Sequence, residues 1–182
     1  MDNPESRHSI PAIPDTADRP ADVVAPPAAA LYLIPVGMSE APYADVLPAG
    51  NLAIVRGIRH FIVENLRNAR RFLKRCDPGA DISAMTFHEL NRHTDLSEVA
   101  GWLEPLCRGE PMGVMSDAGC PAVADPGAIA VAVAQREGLT VRPLVGPSSI
   151  LMALMASGFN GQGFSFHGYL PVSDGDRGAA IH

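Results

Sequence analysis

The chain has 182 residues, of which 47% are hydrophobic and 5% aromatic, and its 14 Lys and Arg against 20 Asp and Glu give a formal charge of −6. This is enough for one domain, or for one domain and part of another, with a mainly aliphatic core. No apolar run approaches the ~20 residues that cross a bilayer, and the amino terminus has acids and prolines where a signal peptide has a basic patch and an apolar stretch. We therefore expect a cytoplasmic protein without a membrane partner.

Residues 1–30 mix Pro, Ala, Asp and Ser without a helical or strand period, and we interpret them as a disordered leader. From residue 31, short aliphatic runs alternate with longer amphipathic stretches, which is the pattern of an α/β fold with a mainly parallel sheet. The apolar runs predict strands at 31–35, 60–64, 82–87, 112–116 and 140–145, with a further strand-like run at 164–169.

Amphipathic stretches between these runs predict four helices. The first carries an apolar stripe at positions 66, 69 and 73, and the second begins where Asp95 ahead of Glu98 resembles a capping box. The third is expected at 126–137, and the fourth from Ser148 as N-cap to about Gly158.

The three cysteines, Cys76, Cys107 and Cys120, form no C-x-x-C pair. Their number and spacing argue against a disulfide framework and against structural zinc, so we expect them to be reduced. His88 and His93 stand five positions apart with no acidic partner at ligand spacing, so no metal site is predicted.

The segment 115–127 reads Met-Ser-Asp-Ala-Gly-Cys-Pro-Ala-Val-Ala-Asp-Pro-Gly. It leaves the carboxyl end of a predicted strand and enters a helix, which is where open α/β sheets bind ligands. Ala118 and Gly119 allow the backbone to approach a ligand closely. A plain connection between strand and helix is the competing interpretation. With the flanking carboxylates Asp117 and Asp125, a ligand-binding loop and a plain connection are about equally favoured.

The segment 145–149, Val-Gly-Pro-Ser-Ser, again follows a predicted strand and opens a helix. Free N–H groups and serine hydroxyls at a helix N-terminus can bind a carboxylate or a hydroxyl of a ligand. By itself, this segment favours the simpler interpretation of a serine N-cap after a proline turn.

A resemblance to the tetrapyrrole methylase superfamily is carried by segments in order at 31–35, 63–65, 116–127, 144–149 and 168–171 (Leu-Tyr-Leu-Ile-Pro, Val-Glu-Asn, the Ser-Asp-Ala-Gly to Asp-Pro-Gly stretch, Leu-Val-Gly-Pro-Ser-Ser, Gly-Tyr-Leu-Pro). Within it, the chain resembles the branch of 16S ribosomal RNA cytidine-2′-O-methyltransferases and their uncharacterised relatives. The resemblance implies an S-adenosylmethionine-dependent methyltransferase, usually a homodimer, with two α/β domains around the cofactor and no metal. It implies a first domain at 31–145 and only the beginning of a second at 146–182.

The same resemblance implies cofactor-binding residues, which are Pro35, Asp117, Ala118, Gly119, Cys120, Ser148 and Ser149. Two segments depart from the ribosomal RNA branch: Pro-Val-Gly-Met at 35–38 in place of a Pro-x-Gly-Asn type, and Glu-Asn-Leu-Arg at 64–67 in place of Glu-Asp-Thr-Arg. The favoured acceptor is a hydroxyl on ribosomal RNA. A small molecule such as a tetrapyrrole is the alternative, and a catalytically silent fragment or binding module is another.

Methyl transfer to oxygen requires positioning of donor and acceptor and a base for the hydroxyl proton. Glu64, His88 and Glu89 stand at predicted strand ends and are the candidate bases, and the sequence does not rank them. Glu64 also matches the acidic residue that the family carries after its second strand.

A basic stripe lies on the first predicted helix, where Arg67, Arg70, Arg71 and Lys74 follow an i, i+3, i+4, i+7 spacing. Such a stripe suits contacts with RNA phosphates, for which arginine is favoured. The alternative is the solvated face of an amphipathic helix.

Overall fold

The computed structural model of the chain describes residues 26–181, so residues 1–25 of the predicted leader lie outside the described part. Its centre is a five-stranded sheet, parallel throughout, with the strand order β3-β2-β4-β1-β5. The strands are β1 (Leu31–Leu33), β2 (His60–Val63), β3 (Thr86–Glu89), β4 (Met112–Met115) and β5 (Val141–Pro143). The helices are α1 (Tyr43–Val46), α2 (Ala49–Arg56), α3 (Leu66–Cys76), α4 (Val99–Trp102), α5 (Glu104–Cys107), α6 (Gly127–Arg136), α7 (Ser149–Ser157) and α8 (Asp174–Ile181).

The central strands β1, β2 and β4 are buried on both faces, and their successive residues point to opposite sides of the sheet. Phe61 of β2 packs toward α2 and α3 in one apolar cluster, while its neighbour Ile62 packs toward α4 and α6 in the other. Phe61 is fully buried and Ile62 is 1% exposed. The α/β class predicted from the sequence is confirmed.

Four of the five main predicted strands are confirmed, with slightly shorter bounds, but the strand predicted at 82–87 is wrong in its first half. There the Asp81 carboxylate accepts the Ser83 N–H at 3.0 Å and begins a single turn of 3₁₀ helix, Ile82–Ala84. The strand therefore starts only at Thr86. The strand-like run at 164–169 is not a strand, because within the described part of the chain no neighbouring strand pairs with it.

The predicted helices are confirmed, but the second is broken. Asp95 caps a 3₁₀ turn through the Ser97 N–H, and α4 then ends at Trp102 because Pro105 has no N–H to continue the helical ladder. Ser148 is the N-cap of α7, and Gly158 ends that helix with a positive φ of 71°. The sequence analysis had not predicted α1, α2 or α8.

The segment from α7 onward lies on the surface. No residue between 149 and 181 is buried, although Met155, Phe159 and Val172 are large and apolar, with exposures of 83%, 82% and 95%. Within residues 26–181, no helix is long and apolar enough to cross a membrane.

Candidate functional site

Two loops meet at the carboxyl edge of the sheet, where parallel strands end together. After β1, the Val36 N–H donates to the Gly119 carbonyl, and the Gly119 N–H donates back to the Val36 carbonyl, both at 2.9 Å. The loop after β4 is thereby held against the loop after β1, with Ala118 and Gly119 at the contact.

The loop between β5 and α7 joins them through tight contacts. The Cys120 thiol donates to the Pro147 carbonyl at 3.3 Å. A Cβ at Gly146 would overlap with the Pro35 ring, so only glycine allows these backbones to approach. The Asn51 amide donates to the Val145 carbonyl at 2.7 Å, and Asn51 is itself buried. Three loops therefore form one rigid edge.

This edge forms a shallow pocket of about 80 Å³, which we call the edge pocket. It is lined by Met38, Ala118, Gly119, Cys120, Val123, Ser148, Ser149, Ile150 and Tyr169. Five of the seven cofactor candidates are among these residues. Pro35 instead packs behind the pocket on Gly146, and Asp117 lines the two neighbouring depressions.

The polar groups of the edge pocket are partly engaged within the chain. The Ser148 hydroxyl accepts the Leu151 N–H at 3.4 Å as the N-cap of α7, and the Ser149 hydroxyl lies 3.3 Å from the Tyr169 hydroxyl. Burial raises the pKa of the Cys120 thiol, which keeps it protonated as a hydrogen-bond donor.

A larger cleft of about 710 Å³, the acceptor cleft, opens beside the edge pocket at the ends of β2, β3 and β4. Its floor carries Glu64, Glu89 and Asp117, and the turn at 91–94 forms one side. The Glu64 carboxylate accepts the Asp117 N–H at 3.0 Å through Oε2, which ties the ends of β2 and β4 together. Two of the three candidate bases, Glu64 and Glu89, are thus brought into one cleft.

His88 is not among the residues that line this cleft. It precedes Glu89 in β3 and so faces the other side of the sheet, where its ring stacks on Trp102 with centroids 4.9 Å apart and planes at 13°. Burial, together with the nearby His60, lowers the pKa of His88. The sequence predicts both His88 and Glu89 at a strand end. They face opposite sides of the sheet because side chains alternate along a pleated strand.

The cleft contains residues that the sequence analysis did not select as site residues. Residues 91–94 line it, and of these the sequence analysis considered only His93, as a metal ligand. Within residues 26–181, no group of three or more His, Cys, Asp or Glu side chains is arranged to hold a metal ion. Residues 91–94 lie in a loop, where no periodic pattern in the sequence marks a functional position.

All four residues of the basic stripe are exposed on α3, so the shared face predicted from the spacing is present. Arg67 and Arg70 line a groove next to the acceptor cleft, together with Asn65 and Glu89. Arg71, one helical turn from Arg67, lines the depression beside the loop at 36–40. The Lys74 ammonium group donates to the Ala80 carbonyl at 2.7 Å, so it is already engaged within the chain.

Asp125 organises the loop that forms the edge pocket. Its Oδ1 accepts the Gly127 N–H at 2.6 Å, and its Oδ2 is buried without a hydrogen-bond partner in the described part of the chain. Two alanines of the loop, Ala122 and Ala124, have positive φ angles of 66° and 58°. Burial raises the pKa of the Asp125 carboxyl, and the N–H groups of Gly127, Ala122 and Val123 oppose that effect.

The fold and these loops define a parallel-sheet α/β protein with a candidate ligand site at the carboxyl edge of the sheet. No protein-family model matches the chain. It is 32% identical over 133 residues to "Ribosomal RNA small subunit methyltransferase I" of Xylella fastidiosa, covering 69% of this chain and 47% of that protein. It is 34% identical over 158 residues to the protein of the same name in Mesorhizobium japonicum, covering 78% of this chain and 52% of that protein.

A third relative of the same name, from Halalkalibacterium halodurans, is 32% identical over 147 residues, covering 76% of this chain and 49% of that protein. The chain thus spans about half the length of the curated relatives it matches. These relatives confirm the resemblance to the tetrapyrrole methylase superfamily, on the branch of the small-subunit ribosomal RNA methyltransferases.

Proposed function

We propose that this chain carries one wall of the cofactor site and the acceptor cleft of an S-adenosylmethionine-dependent methyltransferase that acts on a hydroxyl of ribosomal RNA. The observation that carries the proposal is the edge pocket, built from three pinned loops, directly beside a cleft with two carboxylates. The named relatives, which are ribosomal RNA methyltransferases, support the choice of substrate class.

The residues of the edge pocket fit one face of the cofactor. Gly119 has a φ of 72°, and it leaves its backbone open toward the pocket because it has no Cβ. Met38 and Ile150 supply apolar surface for a ring, and the Ser149 hydroxyl supplies a polar contact. When bound, S-adenosylmethionine supplies a methyl group on a positively charged sulfur. We assign Ala118, Gly119, Cys120, Ser148 and Ser149 to this contact, with Asp117 at its border and Pro35 as support.

The protein's own contribution is positioning and proton removal, because transfer of a methyl group to oxygen is an in-line displacement. The Glu64 carboxylate is fixed by the Asp117 N–H through one oxygen, and its other oxygen is left to accept the proton of the acceptor hydroxyl. Through this hydrogen bond Glu64 is linked to Asp117, which directly precedes Ala118 of the edge pocket. We therefore assign the base to Glu64, with Glu89 as the second candidate and His88 outside the cleft.

Arginines beside the cleft suit the phosphates of an RNA substrate. Arg67 and Arg70 line the adjoining groove, and Arg71, one helical turn from Arg67, lines the depression beside the loop at 36–40. Guanidinium groups bind phosphate oxygens in a bidentate manner. Lys74 is held by backbone carbonyls, so we assign it a smaller part in RNA binding.

We further propose a homodimer that works in the cytoplasm on ribosomal RNA. The support is the exposed apolar side chains on α7 and after it, where Met155 and Phe159 are more than four-fifths exposed. Clusters of exposed apolar side chains mark interfaces. Light scattering at increasing protein concentration tests the proposal, and a monomer at all concentrations would contradict it.

Methyl transfer itself is the test of the proposed function. The full chain is incubated with tritiated S-adenosylmethionine and protein-free small-subunit ribosomal RNA, and the RNA is hydrolysed in alkali. A methylated ribose hydroxyl leaves a labelled, alkali-resistant dinucleotide. Glu64→Gln keeps an oxygen for the Asp117 N–H and is expected to slow transfer by roughly 100-fold or more.

Glu137→Gln is the matched control, since Glu137 is an exposed carboxylate at the far end of α6. It is expected to leave the rate unchanged. Label on a nucleobase would refute the hydroxyl assignment. Label only on a small-molecule acceptor would favour the alternative substrate class.

A further inference from the structure

We infer that the turn at 91–94 and the first turn of α3 are the two walls of a groove that takes a single-stranded segment of RNA, with one nucleotide reaching down to Glu64. The inference rests on the proposed function, and it adds Arg92 and His93 to the RNA contacts. It also specifies the form of the substrate, which is an unpaired strand.

The groove is continuous. The acceptor cleft shares Asn65 and Glu89 with the groove that Arg67 and Arg70 line, so the two depressions are one channel. At the other end of the channel, Asp117 lines both the acceptor cleft and the depression beside the loop at 36–40. Ala118 lines both that depression and the edge pocket. A chain molecule lying along the channel therefore passes within reach of the proposed cofactor wall.

The turn at 91–94 is rigid enough to act as a wall. The Asn91 N–H donates to Thr94 Oγ1 at 2.9 Å, and that hydroxyl donates to the Glu89 carbonyl at 3.1 Å. The Asn91 side-chain oxygen accepts the His93 N–H at 2.9 Å. Asn91 and Thr94 thus hold the turn by their side chains, and the side chains of Arg92 and His93 are left to contact a ligand.

The charges of the groove are arranged in layers. The walls carry Arg67 and Arg70 on one side and Arg92 on the other, while the floor carries Glu64 and Glu89. Phosphates are favoured at the walls and repelled from the floor, where carboxylates instead accept hydrogen bonds from hydroxyl or amino groups. A backbone at the rim with its sugar and base turned inward meets both requirements.

This orientation requires an unpaired strand. An A-form duplex displays its 2′-hydroxyls in the minor groove, but its bases are paired and stacked inside the helix, so a base can turn inward to the carboxylates of the floor only from an unpaired strand. The cleft volume of about 710 Å³ lies in the range of sites that enclose a small molecule and so admits such a nucleotide. Arg92 Nε donates to His93 Nε2 at 3.3 Å, which places a guanidinium and an imidazole side by side as a platform for stacking a base.

Fluorescence anisotropy with the full chain and a labelled single-stranded RNA of about 12 nucleotides tests the inference. The double variant Arg92→Gln with His93→Gln keeps the hydrogen bonds that pin the turn. It is expected to weaken binding at least roughly tenfold and to lower the slope of log affinity against log salt by about 0.7, as one arginine is lost from a single-strand contact. Arg67→Gln with Arg70→Gln should lower that slope by about 1.4.

Arg136→Gln, an exposed arginine at the far end of α6, is the control and should leave the affinity within about twofold. A duplex of the same sequence should bind at least roughly tenfold more weakly than the single strand. Circular dichroism melting of each variant confirms that it is folded.

The outcomes separate the inference from the proposed function. If the variant at 92 and 93 binds like the unaltered chain while the variant at 67 and 70 binds weakly, the turn is not a wall, and RNA binding stands. Duplex binding as tight as single-strand binding overturns the unpaired strand. If the unaltered chain binds no RNA, the proposed substrate class fails, and this inference fails with it.

Discussion

Replacing Asp125 with alanine is expected to loosen the edge pocket without disturbing the sheet. The Asp125 carboxylate accepts the Gly127 N–H at 2.6 Å, and the N–H groups of Ala122 and Val123 also act on it. Ala122 and Ala124 hold positive φ angles, which are unfavourable for alanine unless the surroundings enforce them. Without the carboxylate, the loop is free to relax toward negative φ, and the Ala118 and Gly119 backbone moves with it.

The magnitude follows from the contacts. Hydrogen bonds to a charged group contribute about 1.5–3 kcal/mol each, and the only partly buried position of Asp125 favours the low end. Removing the partly buried charge recovers part of that free energy, because its second oxygen has no partner among the described residues. We expect a net loss of about 2 kcal/mol for Asp125→Ala, or a fall in melting temperature of roughly 4–8 °C. Asp125→Asn, which keeps one acceptor oxygen, should lose about half as much.

Urea denaturation at several pH values is the assay. Because folding raises the pKa of the Asp125 carboxyl, the protonated carboxyl gives the fold extra stability at acid pH, and this extra part is lost as the pH rises through the raised pKa. Asp125→Asn removes that dependence. Asp81→Ala, which removes an exposed carboxylate that caps a turn in the same way, controls for loss of a cap away from the site. A change in stability below about 0.5 kcal/mol with unchanged cofactor affinity would refute the role given to Asp125.

Two further predictions concern the edge pocket and the opposite side of the sheet. Gly119 and Gly109 have similar positive φ angles of 72° and 85°, so substitution by valine strains the backbone at either position. Only Gly119→Val is expected to weaken S-adenosylmethionine binding, by at least roughly tenfold. Equal weakening by Gly109→Val would disprove the assignment of Gly119 to the cofactor site. The fluorescence of Trp102, the single tryptophan, should titrate with His88 at a midpoint below about 6.5, because burial lowers the His88 pKa. The stability that neutral His88 provides is full above that ordinary value and is lost as the pH falls below it. His88→Gln should abolish the fluorescence titration, and its persistence would place the titrating group elsewhere.

The sheet was predictable because its strands are short apolar runs that must be buried on both faces. The edge pocket was predictable in part, since small residues after a strand indicate a close approach to ligand, and Ala118 and Gly119 do lie at the contact between loops. The 3₁₀ turn at 82–84 was missed because Asp81 caps it locally, within a stretch whose apolar content favours a strand.

The rest depended on three-dimensional arrangement. Which of His88 and Glu89 faces the cleft is set by the pleat and the start of β3, which the sequence misplaced. Helical spacing predicted that Lys74 shares a face with Arg67, but it could not show that the Ala80 carbonyl accepts a hydrogen bond from the Lys74 ammonium group. Arg92 and His93 lie in a turn, so only the fold shows that they meet the arginines of α3 across one groove.

The central claim is that the pinned loops at the carboxyl edge of the sheet bind the methyl donor. Calorimetric titration of the full chain with S-adenosylmethionine, and with its demethylated product S-adenosylhomocysteine, tests it most directly. We predict one saturable site per chain for each ligand, with competition between them. The absence of saturable heat for both, with the protein folded, would contradict the claim.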